Sequence, residues 1–283
     1  MAETLPLRLP AEWEDYDTVM IAWPHAATDW ADMLPEITRC YVNLAEAVVV
    51  RSGLRLLVVT PEPEAVADKL SHLPKEKILL FACPTNDTWT RDYGPITVVD
   101  GGEPCAVDFQ FNGWGLKFAA DLDNMVNLRM LHASLLTPRY CSRLNYTLEG
   151  GAIESDGRGT MLANAQTLMA LNRNGVTDER HLRSYFRENL GIEMLHLLHH
   201  GALEGDDTDG ERLPATYANF LITPRTVLMP TYAQPDLDRM AAQMLQIAFP
   251  DREIVGVDCR ALIRQHGSLH CATMQLPAGV LRI

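Results

Sequence analysis

The segment Asn86–Pro95 combines residue types that can bind a planar cation. Asp87 and Asp92 supply carboxylates, and Trp89 supplies an aromatic face between them. A guanidinium or ammonium ligand is held by charge pairing with carboxylates and by stacking on aromatic rings. A turn rich in Asp and Arg, with internal ion pairs, would have the same composition. The segment taken alone favours that simpler interpretation.

Two further acidic segments lie later in the chain. Glu149 precedes Gly150 and Gly151, which let the backbone approach another group closely, so this carboxylate could face a cavity. The segment Gly205–Gly210 includes Asp207 and could bind a cation, a metal ion or nothing. It lacks the spaced oxygen ligands and the final glutamate of a calcium loop. The histidines that precede it lack metal-binding spacing, so we predict no metal site.

Cys271 is the cysteine whose position suggests reactivity. The chain has six cysteines and no Cys-x-x-Cys pair, which argues against a zinc ribbon or a disulfide framework. Cys271 follows Gly267 in a segment that we predict to lead into a strand, and a cysteine at such a junction can be partly exposed and activated. Because a single cysteine is more often a buried small hydrophobe, its position alone does not establish a nucleophile.

The scaffold for these residues is predicted from hydrophobic periodicity and turn residues. Strands, helices and hairpins alternate along the chain. The predicted strands cover 18–23, 54–59, 78–82, 254–257 and 270–275, the helices 30–51, 64–73, 178–189 and 236–249, and the hairpins 96–111, 152–163 and 219–230.

A unit of hairpin, helix and strand therefore recurs, which indicates a ring or array of one supersecondary unit. No Gly/Ser linker divides the chain, so we predict a single α/β domain over residues 1–283. A doubly wound parallel sheet is the alternative. The hairpins and the absence of a Gly-x-Gly-x-x-Gly turn weaken it.

Composition and charge limit the classes of partner. The formal net charge of −13 argues against nucleic acid and against an anionic membrane surface, and it suits a small cationic substrate. No apolar run approaches the roughly 20 residues that cross a bilayer. The N-terminal residues do not read as a secretion signal, so a cytoplasmic location is expected. A homo-oligomer is left open.

The four segments, in this order, resemble the family of agmatine deiminases and bacterial peptidylarginine deiminases. Further resemblance extends over the whole chain, in Leu9–Trp13, Ala22–His25, Phe111–Gly115, Asp251–Arg260 and the pair His270–Cys271. The resemblance implies a pentein-type α/β propeller, in which repeated ββαβ units surround a central active site. It also implies an enzyme that needs neither a metal ion nor an organic cofactor.

The resemblance further implies the role of each site residue. Cys271 would attack the guanidinium carbon, while Asp92 and Glu149 would hold the guanidinium nitrogens. Trp89, Asn219 and Asp207 would contact the substrate. A histidine would shuttle protons. The expected reaction converts agmatine into N-carbamoylputrescine and ammonia. The first alternative is a peptidylarginine deiminase, which converts arginine in a peptide into citrulline.

The pattern breaks near Asp209–Glu211. In the family an acidic stretch leads into a His-x-Asp motif that carries the proton shuttle, whereas here the chain continues into a part that resembles a later repeat. Either a true deletion has left an inactive guanidinium-binding relative, or residues of the molecule are missing from this sequence. We expect the second, because loss of a whole repeat would cost more than a stability of about 5–15 kcal/mol can absorb.

Other histidines are weaker candidates for the proton shuttle. His199 and His200 precede the acidic loop, and His266 lies near the cysteine. His270 is adjacent to Cys271, but neighbours on a strand point to opposite faces, so its ring is not expected to reach the sulfur. A gap between Asp209 and Glu211 longer than two Cα steps of about 3.8 Å would reveal missing residues.

Overall fold

The computed structural model describes residues 6–137, 139–200 and 213–282. Within these residues the chain forms thirteen strands and nine α-helices, and four of the α-helices are single turns. The strands are β1 Thr18–Ala22, β2 Arg55–Thr60, β3 Ile78–Ala82, β4 Ile96–Asp100, β5 Glu103–Gln110, β6 Tyr140–Thr147, β7 Ile153–Ser155, β8 Thr160–Asn164, β9 Met194–Leu198, β10 Leu221–Ile222, β11 Thr226–Thr231, β12 Glu253–Asp258 and β13 Met274–Leu276. The helices are α1 Leu34–Glu46, α2 Pro63–Lys69, α3 Thr90–Tyr93, α4 Gly113–Leu116, α5 Val126–His132, α6 Ala165–Leu168, α7 Leu171–Asn174, α8 Glu179–Leu190 and α9 Pro235–Ala248.

These elements belong to two compact units, each with its own sheets. The sheets β4-β5-β6 and β7-β8-β9 lie in unit 1, and the sheets β13-β1-β2-β3 and β10-β11-β12 lie in unit 2. Unit 1 comprises Met1–Glu14, Arg91–Gly201 and Leu276–Ile283, and unit 2 comprises Asp15–Thr90 and Ala202–Gln275.

Unit 1 contains two copies of one ββαβ pattern. In each copy an antiparallel hairpin is followed by helix and then by a third strand, which pairs parallel to the second. Helix α8 of the second copy is capped at both ends. The Asp178 carboxylate accepts a hydrogen bond from His181 N–H at 2.8 Å, and Gly191 ends the helix at φ +70°. A Cβ at Gly191 would lie 2.0 Å from the Leu7 carbonyl oxygen, so glycine is required there.

Unit 2 has the same pattern in one of its sheets and a different arrangement in the other. Strands β10 and β11 are antiparallel, α9 follows, and β12 pairs parallel to β11. In the other sheet α1 connects the parallel strands β1 and β2, and α2 connects β2 to a further parallel strand, β3. Every residue of β1 is buried, which explains its continuous apolar sequence.

The repeating ββαβ pattern agrees with the repeat predicted from the sequence, and the mixed sheets exclude a doubly wound parallel sheet among the described residues. The predictions missed β6 and β9, the third strands of the two copies in unit 1. The strand predicted over 270–275 was wrong at its start, because 270–273 form a turn and β13 begins at Met274. One domain over residues 1–283 stays a prediction. No helix among the described residues is long and apolar enough to cross a bilayer.

Candidate functional site

Unit 1 holds a carboxylate cluster made of Asp92, Trp114, Glu149, Gly151 and Arg173. Asp92 lies in the short helix α3, just before β4. Its Oδ2 accepts a hydrogen bond from Trp114 Nε1 at 3.1 Å, and its Oδ1 accepts one from Gly151 N–H at 3.1 Å. A Cβ at position 151 would lie 2.7 Å from Asp92 Oδ1. The glycine therefore allows the backbone to approach the carboxylate, as the sequence suggested.

The Trp114 indole reaches Asp92 from an unusual turn. Residues Gly113, Trp114, Gly115 and Leu116 all have positive φ, at +64°, +55°, +83° and +67°. This left-handed region is unfavourable for tryptophan and leucine and favourable for glycine. The Asn112 side chain supports the turn, because its Oδ1 accepts a hydrogen bond from Gly115 N–H at 2.9 Å. In this turn the indole N–H of Trp114 lies within hydrogen-bond distance of Asp92.

Glu149 is paired with Arg173 inside the carboxylate cluster. Arg173 Nε donates to Glu149 Oε1 at 2.9 Å and to Oε2 at 3.0 Å. Glu149 is buried, with only 3% of its surface exposed. Burial raises the pKa of the Glu149 carboxyl, and nearby Asp92 adds to that increase, whereas Arg173 and Lys117 oppose it. The pair thus holds an acidic side chain in a place where a carboxylate is otherwise costly.

Unit 2 holds Cys271 in a turn, residues 267–273, that we call the Cys271 turn. Asn219 Nδ2 donates a hydrogen bond to Cys271 Sγ at 3.1 Å. Asn219 Oδ1 accepts from the backbone N–H groups of His270, at 2.8 Å, and Cys271, at 3.3 Å. One amide therefore fixes the turn and directs a donor at the sulfur. A donor at this position favours the thiolate over the thiol.

Trp89 packs against the Cys271 turn at Gly267. Its ring is buried, and a Cβ at Gly267 would lie 2.2 Å from Trp89 Cζ3, so only glycine allows this contact. The neighbouring Thr90 Oγ1 donates to the Ala272 carbonyl oxygen at 3.1 Å. The ring of Trp30 packs on Trp89 with centroids 5.8 Å apart. These contacts explain why an aromatic residue stands here, while contact of Trp89 with substrate stays a prediction.

Burial raises the pKa values of two more side chains of unit 2, Asp87 and Tyr232. Asp87 accepts hydrogen bonds from Trp30 Nε1 at 3.0 Å and Thr88 N–H at 2.7 Å, and burial raises the pKa of its carboxyl to about 6. The Tyr232 hydroxyl lies 3.0 Å from Ser268 Oγ in the Cys271 turn. Burial raises the pKa of the Tyr232 phenol, and a charge on Cys271 would raise it further.

The sequence model of the Porphyromonas-type peptidyl-arginine deiminase family matches residues 8–211 and 209–277. The chain belongs to this family. Its members are named for the hydrolysis of guanidino groups, so the chain is a C–N hydrolase of the deiminase type. The match is in two pieces that meet at residues 209–211, where the sequence pattern breaks.

Relatives match this family member over nearly its whole length. A Shewanella sp. (strain W3-18-1) protein, provisionally named an agmatine deiminase, is 30% identical over 356 aligned positions, which cover 96% of this chain and 94% of the relative. The structure of a provisionally named arginine deiminase from Porphyromonas gingivalis is 35% identical, with a TM-score of 0.88 and coverage of 98% and 100%.

The C. jejuni agmatine deiminase, solved as a cysteine-to-serine variant with substrate bound, is 27% identical, with a TM-score of 0.88 and coverage of 97% of each chain. These matches confirm the pentein-type α/β fold of repeated ββαβ units.

The predicted site residues of this deiminase are divided between the units. Asp92 and Glu149 lie in unit 1, and Trp89, Asn219 and Cys271 lie in unit 2. Asp207 and the junction Asp209–Glu211 lie outside the described residues. Of the alternative histidines, His199 lies in unit 1 with its Nε2 at 3.4 Å from Glu179 Oε1.

No role was predicted from the sequence for Arg173, Trp114, Gly267 or Tyr232. Trp114 stands in the motif Phe111–Gly115, which could have indicated it.

Proposed function

We propose that the protein is an agmatine deiminase that uses Cys271 as its nucleophile and gives N-carbamoylputrescine and ammonia. The observation that carries the proposal is the 3.1 Å hydrogen bond from Asn219 Nδ2 to Cys271 Sγ, within a turn that the same amide holds. A thiolate must be stabilised and oriented before it can attack a carbon as unreactive as that of a guanidinium. Support also comes from the relatives with full-length coverage that are named agmatine deiminases.

The proposed reaction has two halves. In the first, the Cys271 thiolate bonds to the guanidinium carbon, a proton is delivered to one terminal nitrogen, and ammonia leaves an amidino-cysteine intermediate. In the second, water adds to the same carbon and loses its protons, and the carbon–sulfur bond breaks. The product is a urea group, and the thiolate is regenerated. No oxidant or reductant is required.

Asp92 and Glu149 are proposed to bind the guanidinium nitrogens. The Asp92 carboxylate is held in one orientation, because Trp114 Nε1 donates a hydrogen bond to Oδ2 and Gly151 N–H donates one to Oδ1. Glu149 already interacts with the guanidinium of Arg173, so a substrate would use its remaining lone pairs. Pairing with Arg173 opposes the increase that burial causes in the pKa of Glu149, and so favours the ionised form that attraction to a cation requires. Contacts of Asn219, Trp89 and Asp207 with substrate are part of the same proposal.

A second candidate is a peptidylarginine deiminase, which the family description favours. Both substrates present the same guanidinium and would use the same chemistry. They differ at the other end, where agmatine carries a free amine and a peptide needs an open groove. The net charge of −13 suits either cation. A third candidate is an inactive relative, because the proton shuttle implied by the resemblance falls in the part of the pattern that breaks at 209–211.

The test is ammonia release from agmatine and from an arginine-containing peptide. We expect turnover of agmatine by the parent and loss of at least about a thousandfold in Cys271→Ala, since removal of a nucleophile leaves only binding. Cys141→Ala is the matched control, because Cys141 is also a free and partly exposed cysteine. Turnover of the peptide alone would support the second candidate. Turnover of neither substrate would refute the deiminase proposal for this chain, and full activity of Cys271→Ala would refute the mechanism.

A further inference from the structure

Helix α7 of unit 1 is a single turn that is held by polar contacts. None of its residues is buried, and Leu171 at its start is 73% exposed. The next three residues, Asn172, Arg173 and Asn174, each form hydrogen bonds with the carboxylate cluster or with the backbone that carries it. We call residues 172–174 the α7 segment.

Asn172 holds the turn from which Trp114 reaches Asp92. Its Nδ2 donates a hydrogen bond to the Gly115 carbonyl oxygen at 2.6 Å, and its own carbonyl oxygen accepts one from Asn112 Nδ2 at 2.9 Å. The approach is so close that a Cβ at Gly115 would lie 2.4 Å from Asn172 Nδ2. Since Gly115 directly follows Trp114, these contacts limit the directions in which the indole N–H can point.

Asn174 holds the backbone that leads to Glu149. Its Oδ1 accepts a hydrogen bond from Thr147 N–H at 2.8 Å, and its Nδ2 donates one to the Thr147 carbonyl oxygen at 2.9 Å. Thr147 is buried and is the last residue of β6, which lies at the edge of the described sheet β4-β5-β6. The Asn174 amide pairs with both backbone groups, as a neighbouring strand would. Glu149 is two residues further on, where Arg173 binds its carboxylate.

Helical geometry explains how one turn can reach three targets. Successive residues of an α-helix are rotated by about 100°, so three consecutive side chains point in three directions. In the α7 segment these directions lead to the turn that carries Trp114, to the Glu149 carboxylate and to the end of β6. The segment therefore connects the supports of two carboxylates, since Trp114 Nε1 donates to Asp92 Oδ2.

The contacts of the α7 segment differ from those of a helix that serves the core. Helix α8, in the same unit, buries Leu182, Phe186 and Leu190. The α7 segment buries no side chain, and each of its hydrogen bonds falls within two residues of Trp114 or Glu149. This concentration of contacts indicates that the segment supports the carboxylate cluster more than it supports the core.

We propose that the three residues of the α7 segment are positioning residues, which hold the Asp92 and Glu149 carboxylates in the arrangement that binds one guanidinium. Asn172 acts on Asp92 through Trp114, and Asn174 acts on Glu149 through the backbone of β6. The proposal rests on the proposed function, because only there do these carboxylates bind substrate. Displacement of a group at an active site by about 1 Å can cost about a hundredfold in rate. Loss of either contact should therefore lower kcat/KM for agmatine in a chain that stays folded.

Ammonia release from agmatine by Asn172→Ala is the kinetic test. Asn172 is exposed, so the variant should fold, and we expect kcat/KM to fall by at least about tenfold. Asn145→Ala is the matched control, because Asn145 is also exposed in unit 1 and its side chain forms no hydrogen bond with any residue that the structure describes. Its kcat/KM should stay within about twofold of the parent value.

A Trp114→Phe background shows whether Asn172 acts through the indole. This variant keeps an aromatic ring and lacks the donor to Asp92, so Asn172→Ala should then change kcat/KM by less than about twofold. A tenfold loss that is the same in both backgrounds would overturn the inference. So would an Asn172→Ala variant as active as the control.

Nuclear magnetic resonance of the indole N–H groups gives a readout that requires no turnover. The chain has five tryptophans, and the Trp114 resonance is the one that disappears in Trp114→Phe. In Asn172→Ala we expect this resonance to shift, because its hydrogen bond to Asp92 is disturbed, while the other four resonances stay in place. An unmoved Trp114 resonance would overturn the inference. A shift of all five would also overturn it, since Asn172 would then support the structure in general.

Asn174→Ala tests the other half of the proposal. We expect kcat/KM to fall by at least about tenfold while the Trp114 resonance stays in place. An unchanged kcat/KM in this variant would overturn the inference for Glu149. If the parent releases ammonia from neither agmatine nor an arginine-containing peptide, the proposed function fails. The Trp114 resonance in Asn172→Ala still decides whether the α7 segment holds the indole, so the two failures are distinguishable.

Discussion

Replacement of Arg173 by methionine should lower the free energy of unfolding, because it leaves the buried Glu149 carboxylate without its cationic partner. Arg173 Nε contacts both carboxylate oxygens, at 2.9 and 3.0 Å. The side chains are only 13% and 4% exposed, so solvent screens the pair weakly. Removal of one partner from a buried ion pair typically costs about 3–5 kcal/mol, because the remaining charge is left without compensation. Methionine fills much of the same volume, so the loss reflects charge more than packing.

The cost should depend on pH in a defined direction. Burial raises the pKa of Glu149, and Arg173 opposes that increase. Without Arg173 the folded-state pKa rises further above the unfolded value. Between these two pKa values the native state keeps a proton that the unfolded state has released, so stability falls as pH rises, by about 1.4 kcal/mol per pH unit. The deficit of Arg173→Met relative to the parent should thus be larger at about pH 8 than at about pH 5.

Urea unfolding at these two pH values provides the measurement. Glu149→Gln and the double variant complete the cycle, since a neutral amide at position 149 removes the charge that Arg173 compensates. We expect the double variant to be more stable than Arg173→Met at about pH 8 and to lose the pH dependence. If Arg173→Met and the double variant were equally stable at both pH values, the electrostatic account of this pair would be refuted.

Two further predictions concern unit 2. Gly267→Ala places a Cβ 2.2 Å from Trp89 Cζ3 and should cost about 1–3 kcal/mol in urea unfolding, whereas the control Gly256→Ala meets only a methyl group of Thr231 at 3.0 Å and should cost less. Equal losses would contradict the contact. Asp87→Asn keeps the oxygen that accepts from Trp30 Nε1 but removes a carboxyl whose pKa is raised to about 6 from an ordinary 3.8. Since the native state binds the extra proton between these values, the parent should lose about 3 kcal/mol relative to the variant as pH rises through this interval. A constant difference between parent and variant in pH-dependent unfolding would contradict the raised pKa.

The sequence predicted the repeating architecture well because its signals are local. The apolar run of β1 and the turn residues of the hairpins lie next to the elements that they specify. The third strands β6 and β9 were missed because neither sequence alternates regularly between apolar and polar residues. In β9 the exposed side carries the apolar residues Met194 and Leu198, so the alternation by which a strand exposed on one side is predicted is absent.

The site was predicted from motif resemblance more than from physical chemistry. The contact between Asn219 and Cys271 joins residues 52 positions apart, and the pair of Glu149 and Arg173 joins residues 24 positions apart. No local pattern specifies such contacts. The positive φ of Trp114 was equally hidden, although Gly113 and Gly115 on either side are the residues that such a turn needs. The turn at Cys271 replaced a predicted strand because Asn219 binds the backbone N–H groups that a strand would pair.

The position of β13 beside β1 has a consequence for synthesis of the protein on the ribosome. Strand β1, Thr18–Ala22, is made early, but its neighbour β13, Met274–Leu276, is made about 250 residues later. At about 5–20 residues per second, the ribosome needs roughly 12 to 50 s to deliver it. During that interval the apolar edge of β1 has no strand beside it on that side, and such edges pair readily with other chains. We therefore expect nascent chains to need chaperone protection until translation is nearly complete.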